Sequence, residues 1–289
     1  MNTKIQGLTD EHKYFTEVKT VIDPETGELL IQAPAATHKM VSVKQAEAFK
    51  SRNEAKKGRD KWFTFTDMEA VKSLPNDIKM THLGYLLYLQ CYIDYEGAIS
   101  VNSRPLNRVE LIELLDVSEN TFDAFMKVMK NNDIITVSKK VYYVNRAYHY
   151  KGKIEDPRVI KSFCTAVKSL YKSAKQADLG FIYKLLPYVH QETNTLCANP
   201  YENDMDYTEP LNKSEIAELT GIDEKTLYNK FRRMQVGDHF VFVDISVGTS
   251  ETFYRINPAI FYRKDGEPDP SLVELFSIKR NAFRKRAKK

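Results

Sequence analysis

Apolar residues spaced three to four apart, the mark of one helical face, pick out a segment of this chain that occurs twice. Residues 106–129 (LNRVELIELLDVSENTFDAFMKVM) reappear without a gap as residues 211–234 (LNKSEIAELTGIDEKTLYNKFRRM). Over the first seventeen aligned positions Leu106/Leu211, Asn107/Asn212, Glu110/Glu215, Glu113/Glu218, Leu114/Leu219, Glu119/Glu224 and Thr121/Thr226 are identical, and most exchanges between them keep polarity. Each copy predicts two helices. Asn107 or Asn212 caps the first, with Glu110 or Glu215 three residues on, the spacing of a capping box. The first helix stops at Asp116 or Gly221, where a left-handed residue is wanted; glycine adopts that conformation without steric cost and aspartate tolerates it. Val117 or Ile222 supplies an apolar pivot in the turn, and Ser118 or Asp223 caps the second helix. Such a pair is a helix-turn-helix unit, whose second helix can enter a DNA major groove. Recurrence at a period of 105 residues points to a duplicated domain, because solenoid repeats run at roughly 20 to 50 residues.

The flanking pattern is duplicated too. An apolar helix is expected upstream of each pair, around Leu83-Gly84-Tyr85-Leu86-Leu87 and Leu179-Gly180-Phe181-Ile182. Downstream, residues 133–145 and 239–257 alternate apolar and polar positions about a polar turn, as a β-hairpin does (Phe240, Phe242, Ile245, then Phe253, Ile256). Both stretches exit on Asn-x-Ala-x-x-Tyr-basic, at Asn145 to Lys151 and Asn257 to Arg263. Helix, helix-turn-helix and hairpin is the order of a winged helix. The expected fold is therefore mainly α within the α+β class, with two tandem winged helix-turn-helix domains bearing small β-hairpin wings. The expected boundaries are 1–75 for an N-terminal extension holding a β-hairpin and linker, 76–152 for the first winged helix, and 153–176 for a connecting helix. Residues 177–266 then form the second winged helix and 267–289 a C-terminal helix with a basic tail. The connecting helix rests on the spacing of Val159, Phe163, Val167, Leu170 and Tyr171. The second copy carries a polar, acidic insertion at residues 199–206, which reads as a surface loop.

Composition narrows the function classes. The 289 residues suit about two domains. No apolar run approaches the roughly 20 residues of a membrane span, and the N-terminus has no signal-peptide pattern, so a cytoplasmic location without membrane attachment is expected. Cys91, Cys164 and Cys197 are isolated and read as reduced structural thiols. The net charge of +4 is unevenly placed. Lys279, Arg280, Arg284, Lys285, Arg286, Lys288 and Lys289 crowd the end of the chain with no acid among them. Further basic clusters lie at residues 50–61 and 151–175. These suit phosphate contacts, although a solvated helix face has the same composition.

On the second helix of the second copy the candidate DNA contacts are Lys225, Thr226, Tyr228, Asn229, Lys230, Arg232 and Arg233, side chains able to reach phosphates or base edges. On the first copy they are Asn120, Thr121 and Lys127. There Asp123 stands in place of Tyr228 and Val128 in place of Arg233, which makes this copy the poorer binder and leaves dimerisation or partner binding open to it. Lys139 and Lys140 at one hairpin tip, Thr249 and Ser250 at the other, and Arg284, Lys285 and Arg286 in the tail complete the set.

Enzyme signatures are missing: there is no phosphate-binding glycine loop, no His-Glu-x-x-His, and the six histidines are scattered. Neither a catalytic centre nor a metal or cofactor is expected.

Three stretches, residues 21–28 (VIDPETGE), 215–222 (EIAELTGI) and 254–263 (YRINPAIFYR), resemble the winged-helix replication proteins of Firmicute plasmids and related phage proteins. The doubled architecture is similar to tandem winged-helix plasmid initiators. The resemblance implies a sequence-specific double-stranded DNA-binding protein of a plasmid or phage, acting as replication initiator or transcriptional regulator. Host replication or transcription proteins would be further partners, and homodimerisation is compatible with it. The alternative is an adaptor that binds a host or phage protein, favoured by the acidic first copy and the acidic insertion.

Overall fold

The structure, a computed structural model, describes residues 19–27, 29–32, 62–154, 156–247 and 251–278. The chain divides into two units, Met1–Arg59 and Asp60–Lys289. In the first, β1 (Lys19–Ile22) pairs antiparallel with β2 (Leu29–Gln32). The turn between them is fixed as the Asp-Pro-Glu-Thr-Gly sequence predicts. Asp23 Oδ1 accepts from the Glu25 and Thr26 N–H groups at 2.8 and 3.2 Å, and Gly27 takes φ 72°. The expected linker of the N-terminal extension and the basic cluster at 50–61 lie outside the described residues.

The second unit is built from two halves of one plan. Each begins with a strand running straight into a helix: β3 (Phe63–Asp67) into α1 (Met68–Lys72), and, past the first half, β9 (Val159–Phe163) into α5 (Cys164–Ser173). Then comes the apolar helix, α2 (Met80–Leu89) or α6 (Gln176–Leu185). The helix-turn-helix pair follows, α3 (Arg108–Leu115) with α4 (Glu119–Asn131), or α7 (Lys213–Thr220) with α8 (Glu224–Arg233). A hairpin follows in turn, β6 (Ile135–Ser138) with β7 (Val141–Val144), or β12 (Phe242–Val247) with β13 (Glu251–Ile256). Each half ends on a two-residue strand, β8 (His149–Tyr150) or β14 (Phe261–Tyr262). Smaller ribbons, β4 (Ser100–Val101) with β5 (Arg104–Pro105) and β10 (Gln235–Val236) with β11 (His239–Phe240), brace the halves, and α9 (Pro270–Glu274) closes the described chain.

These halves do not form the expected tandem winged-helix domains, and the structure is instead an α+β body whose two copies are fused. The fusion is made by what precedes each helix-turn-helix pair. Strands β3 and β9 are the inner pair of a four-stranded sheet in the order β14-β9-β3-β8, so one sheet draws on both halves. The expected connecting helix over 153–176 is interrupted by strand: β-branched Val159 and Ile160 pair with Asp67 and Thr66, and helix begins only at Cys164. Helices α2 and α6 cross against each other, with Leu83, Leu86, Leu87, Phe181, Ile182 and Leu185 at most 1% exposed. From His82 to Leu89 every residue of α2 is buried. A helix buried all round sits at the centre of a core, and one continuous apolar core here runs from Met68 through both halves to Phe261.

The relation between the halves is close to a twofold axis. Register in the central strands is Phe63 with Phe163, Phe65 with Lys161 and Asp67 with Val159. Since Phe63 and Val159 each open their strand, and Asp67 and Phe163 each close theirs, the pairing is self-reciprocal about Phe65 and Lys161. The outer strands obey it as well: Tyr150 pairs with Phe65 as Tyr262 pairs with Lys161. The axis also passes through the crossing of α2 and α6. A β-carbon on Gly84 would lie 1.9 Å from the Gln176 carbonyl oxygen, and one on Gly180 would lie 1.7 Å from that of Met80.

The repeated exit motif now has a mechanical reason. The Asn145 side-chain amide donates to the Asp133 carbonyl and its oxygen accepts from Ala147 N–H, at 2.9 and 3.0 Å. Asn257 does the same with Phe240 and Ala259, at 2.9 Å each. Each asparagine bends the chain from the hairpin back to the shared sheet, where Tyr150 or Tyr262 takes its place at the edge.

Candidate nucleic-acid interface

Local chemistry sets both helix-turn-helix pairs as the sequence predicts. Both capping boxes are made, at Asn107 with Glu110 and Asn212 with Glu215. The turns are left-handed at Asp116 (φ 51°) and Gly221 (φ 68°). Ser118 accepts from Thr121 N–H and Asp223 from Thr226 N–H. The Thr226 hydroxyl and N–H hold the Asp223 carboxyl below the usual carboxylate range. Thr121 and Thr226 are exposed, and each is tied to its own cap, Thr121 by a 2.9 Å hydroxyl contact with Ser118.

Helix α8 is two-sided. Leu227, Phe231 and the following Met234 are buried, with Phe231 stacked on Tyr254 at 4.1 Å. The opposite face exposes Lys225, Tyr228, Arg232 and Arg233, with Asn229 half-buried at its edge. Arg232 donates to the Tyr228 hydroxyl at 2.6 Å and lies over its ring, which fixes a cation above an aromatic plane at the surface. Glu224, the acid on this face, is paired with Lys213 at 2.8 Å.

Lys230 is placed otherwise than the sequence reading proposed. It turns inward, forms an ion pair with Asp178 of α6 and lies over the Phe181 ring. Position 230 belongs to the buried stripe with 227, 231 and 234, and its counterpart in the first half is Phe125, which is fully buried against His82 and Tyr85. The aromatic contact between His82 and Phe125 has become an ion pair between Asp178 and Lys230.

Helix α4 exposes Asn120, Thr121, Asp123 and Lys127 above its buried stripe of Phe122, Phe125, Met126 and Met129. Here the acids are held: Arg108 donates to both carboxylate oxygens of Asp123 at 3.0 and 3.1 Å and to Glu119 at 3.0 Å. The equivalent residue in the second half is Lys213, which has only Glu224 to bind because Tyr228 replaces Asp123. The two outward faces thus differ in charge by design of these few positions.

Lys139 and Lys140 occupy the two-residue turn between β6 and β7, both exposed and both left-handed, at φ 49° and 66°. Thr249, Ser250, Arg284, Lys285 and Arg286 lie outside the described residues. The acidic insertion is docked. Arg263, buried at 7% exposure, donates to the Val189 and Pro200 carbonyls and lies over the Tyr201 ring, while the Tyr201 hydroxyl donates to Glu69 of α1 at 2.7 Å.

The aromatics Tyr142 and Tyr254 are buried, so these hairpin positions serve packing. Among the described residues no group of three His, Cys, Asp or Glu side chains is disposed to hold a metal ion, and no helix is long and apolar enough to cross a membrane. Compared with known proteins, the chain matches no family model, and no curated protein or solved structure is significantly similar to it.

Proposed function

We propose that this chain is a sequence-specific double-stranded DNA-binding protein that reads DNA chiefly through α8. The observation that carries the reading is the outward face of α8. Lys225, Tyr228, Arg232 and Arg233 stand exposed on the second helix of a correctly capped helix-turn-helix pair, its back fixed to the core by Leu227 and Phe231. A rigid helix with cations and amphipathic side chains on one side suits phosphate contact and base-edge readout together. The resemblance to plasmid and phage replication proteins supports a role on a mobile element, as origin binder in replication initiation or as transcriptional regulator. The test is retention of genomic fragments and of a selected duplex at graded salt. Arg232→Ala with Arg233→Ala is expected to weaken binding by at least tenfold and to flatten the salt dependence by about two phosphate contacts. Equal retention of variant and parent at moderate salt overturns the assignment.

A second reading draws on α4, where Arg108 is consumed by Glu119 and Asp123. That neutralised face favours a protein partner for the first half. Absence of any gel shift at low salt would turn the whole chain toward this adaptor role.

A further inference from the structure

We propose that the two helix-turn-helix pairs read the two arms of one site in opposite orientations, so that the target is an inverted pair of half-sites about a dyad and not a direct repeat. The proposal rests on the DNA-binding reading above and adds the geometry of the target.

The twofold relation is set at the centre of the molecule, in the self-reciprocal register about Phe65 and Lys161 and in the reciprocal approach of Gly84 and Gly180. It is carried outward because each reading helix is mounted on the helix that makes the crossing. Helix α4 rests on α2 through Phe125 against His82 and Tyr85. Helix α8 rests on α6 through Phe231 against Phe181 and Lys230 against Asp178. Two reading elements related by a twofold axis engage one duplex together only where the duplex has a matching axis. B-DNA supplies such axes perpendicular to its length, and they relate sequences on opposite strands. Direct repeats are related by translation along the helix, which this body does not reproduce. The arms differ in base sequence, since Asn120, Asp123, Ala124, Lys127 and Val128 occupy the positions of Lys225, Tyr228, Asn229, Arg232 and Arg233.

The orientation becomes visible if the reading faces are made alike. A chain carrying Asn120→Lys, Asp123→Tyr, Ala124→Asn, Lys127→Arg and Val128→Arg, put through selection from a random duplex pool, is expected to recover sites that read the same on both strands. Recovery of directly repeated or single arms overturns the proposal. A second measurement uses near-native protein. Glu113→Cys and Glu218→Cys, equivalent exposed positions outside the reading faces, are labelled separately with an iron-chelate cleavage reagent. Cys91, Cys164 and Cys197 are buried, and burial pushes the Cys197 thiol up to about 12, so the label goes to the introduced thiol. On the site selected by the parent chain, cuts from the two labels are expected on opposite strands, mirrored about the centre. Cuts of the same polarity on one strand overturn the proposal. Reversing one arm of that site in place should cost at least about tenfold in affinity. If the parent chain retains no duplex at low salt, the DNA-binding reading itself falls, a result distinct from binding in the wrong orientation.

Discussion

Gly84 and Gly180 occupy equivalent places on the two crossing helices, and each lacks a β-carbon where the other helix presents a main-chain carbonyl. A methyl group at either position cannot be absorbed by a side-chain movement, because the obstacle is backbone. Gly84→Ala and Gly180→Ala are each expected to destabilise the protein by about 3 kcal/mol in urea unfolding, against the small gain that alanine brings to an unobstructed helix. The double variant should cost less than the two losses added, since the first substitution already separates the helices. A neutral effect of either change would mean that the crossing is not as close as described.

The exchange of Phe125 for Lys230 makes a second prediction. Lys230→Ala leaves the half-buried Asp178 carboxylate without its cation and should lower stability by about 2 kcal/mol, with a similar loss for Asp178→Ala. Lys230→Phe combined with Asp178→His rebuilds the contact of the first half and is expected to recover most of that loss. DNA retention should follow stability in these variants, in contrast to Arg232→Ala with Arg233→Ala, which should lower retention at unchanged stability. A Lys230→Ala protein of full stability and reduced affinity would return Lys230 to the interface.

His149 gives the fold a calculable response to pH. Its imidazole is fully buried, within 3.1 Å of the Thr66 hydroxyl and 2.8 Å of the Tyr183 hydroxyl, and burial lowers its pKa to about 3. The unfolded chain takes up a proton near pH 6.5 while the native state does not. The unfolded state therefore binds more protons between these values, and stability rises with pH there. The contribution is fully present above about pH 6.5 and falls by about 1.4 kcal/mol per unit as pH drops toward 3. Urea midpoints measured from pH 7 to pH 4 should show this slope. His149→Phe, which copies its counterpart Phe261, should flatten the slope by one proton even though it leaves the two hydroxyls without the ring. An unchanged slope would assign the dependence to other groups.

Local features were legible in the sequence because a few neighbouring residues decide them. The capping boxes at Asn107 and Asn212, the left-handed turns at Asp116 and Gly221, and the caps Ser118 and Asp223 all involve groups within four positions. The union of the two halves depends on partners far apart in sequence, and periodicity alone does not reveal it. Val159, Phe163 and Val167 fit a helical stripe, yet Val159 lies in a strand paired with Asp67. Two signals did point to the union. A helix as apolar on every side as residues 83–89 needs more cover than one small domain supplies, and a glycine in the middle of that helix recurs at the same place in the second copy. Such a glycine costs about 1 kcal/mol unless a neighbouring backbone needs the space. The inward place of Lys230 was missed, although aligning the repeat with itself sets it against Phe125 and not against a surface residue.

The hairpin tip of the first half provides the last prediction, because it combines an unfavourable conformation with charge. Residues 139 and 140 both take left-handed angles in a two-residue turn, the geometry that asparagine and glycine favour, and both are lysine. Each lysine costs on the order of 1 kcal/mol relative to a residue suited to that conformation. Replacing the pair, Lys139→Asn with Lys140→Gly, should therefore raise stability by about 1 to 2 kcal/mol in urea unfolding. If the tip reaches a phosphate, the same replacement should weaken DNA retention severalfold and reduce its salt dependence, so that stability and affinity move in opposite directions. Lys139→Ala with Lys140→Ala separates the effects: it removes the charges without relieving the turn, and should match the loss in affinity with no gain in stability. A stabilised Asn-Gly variant with undiminished retention would place this tip away from the DNA.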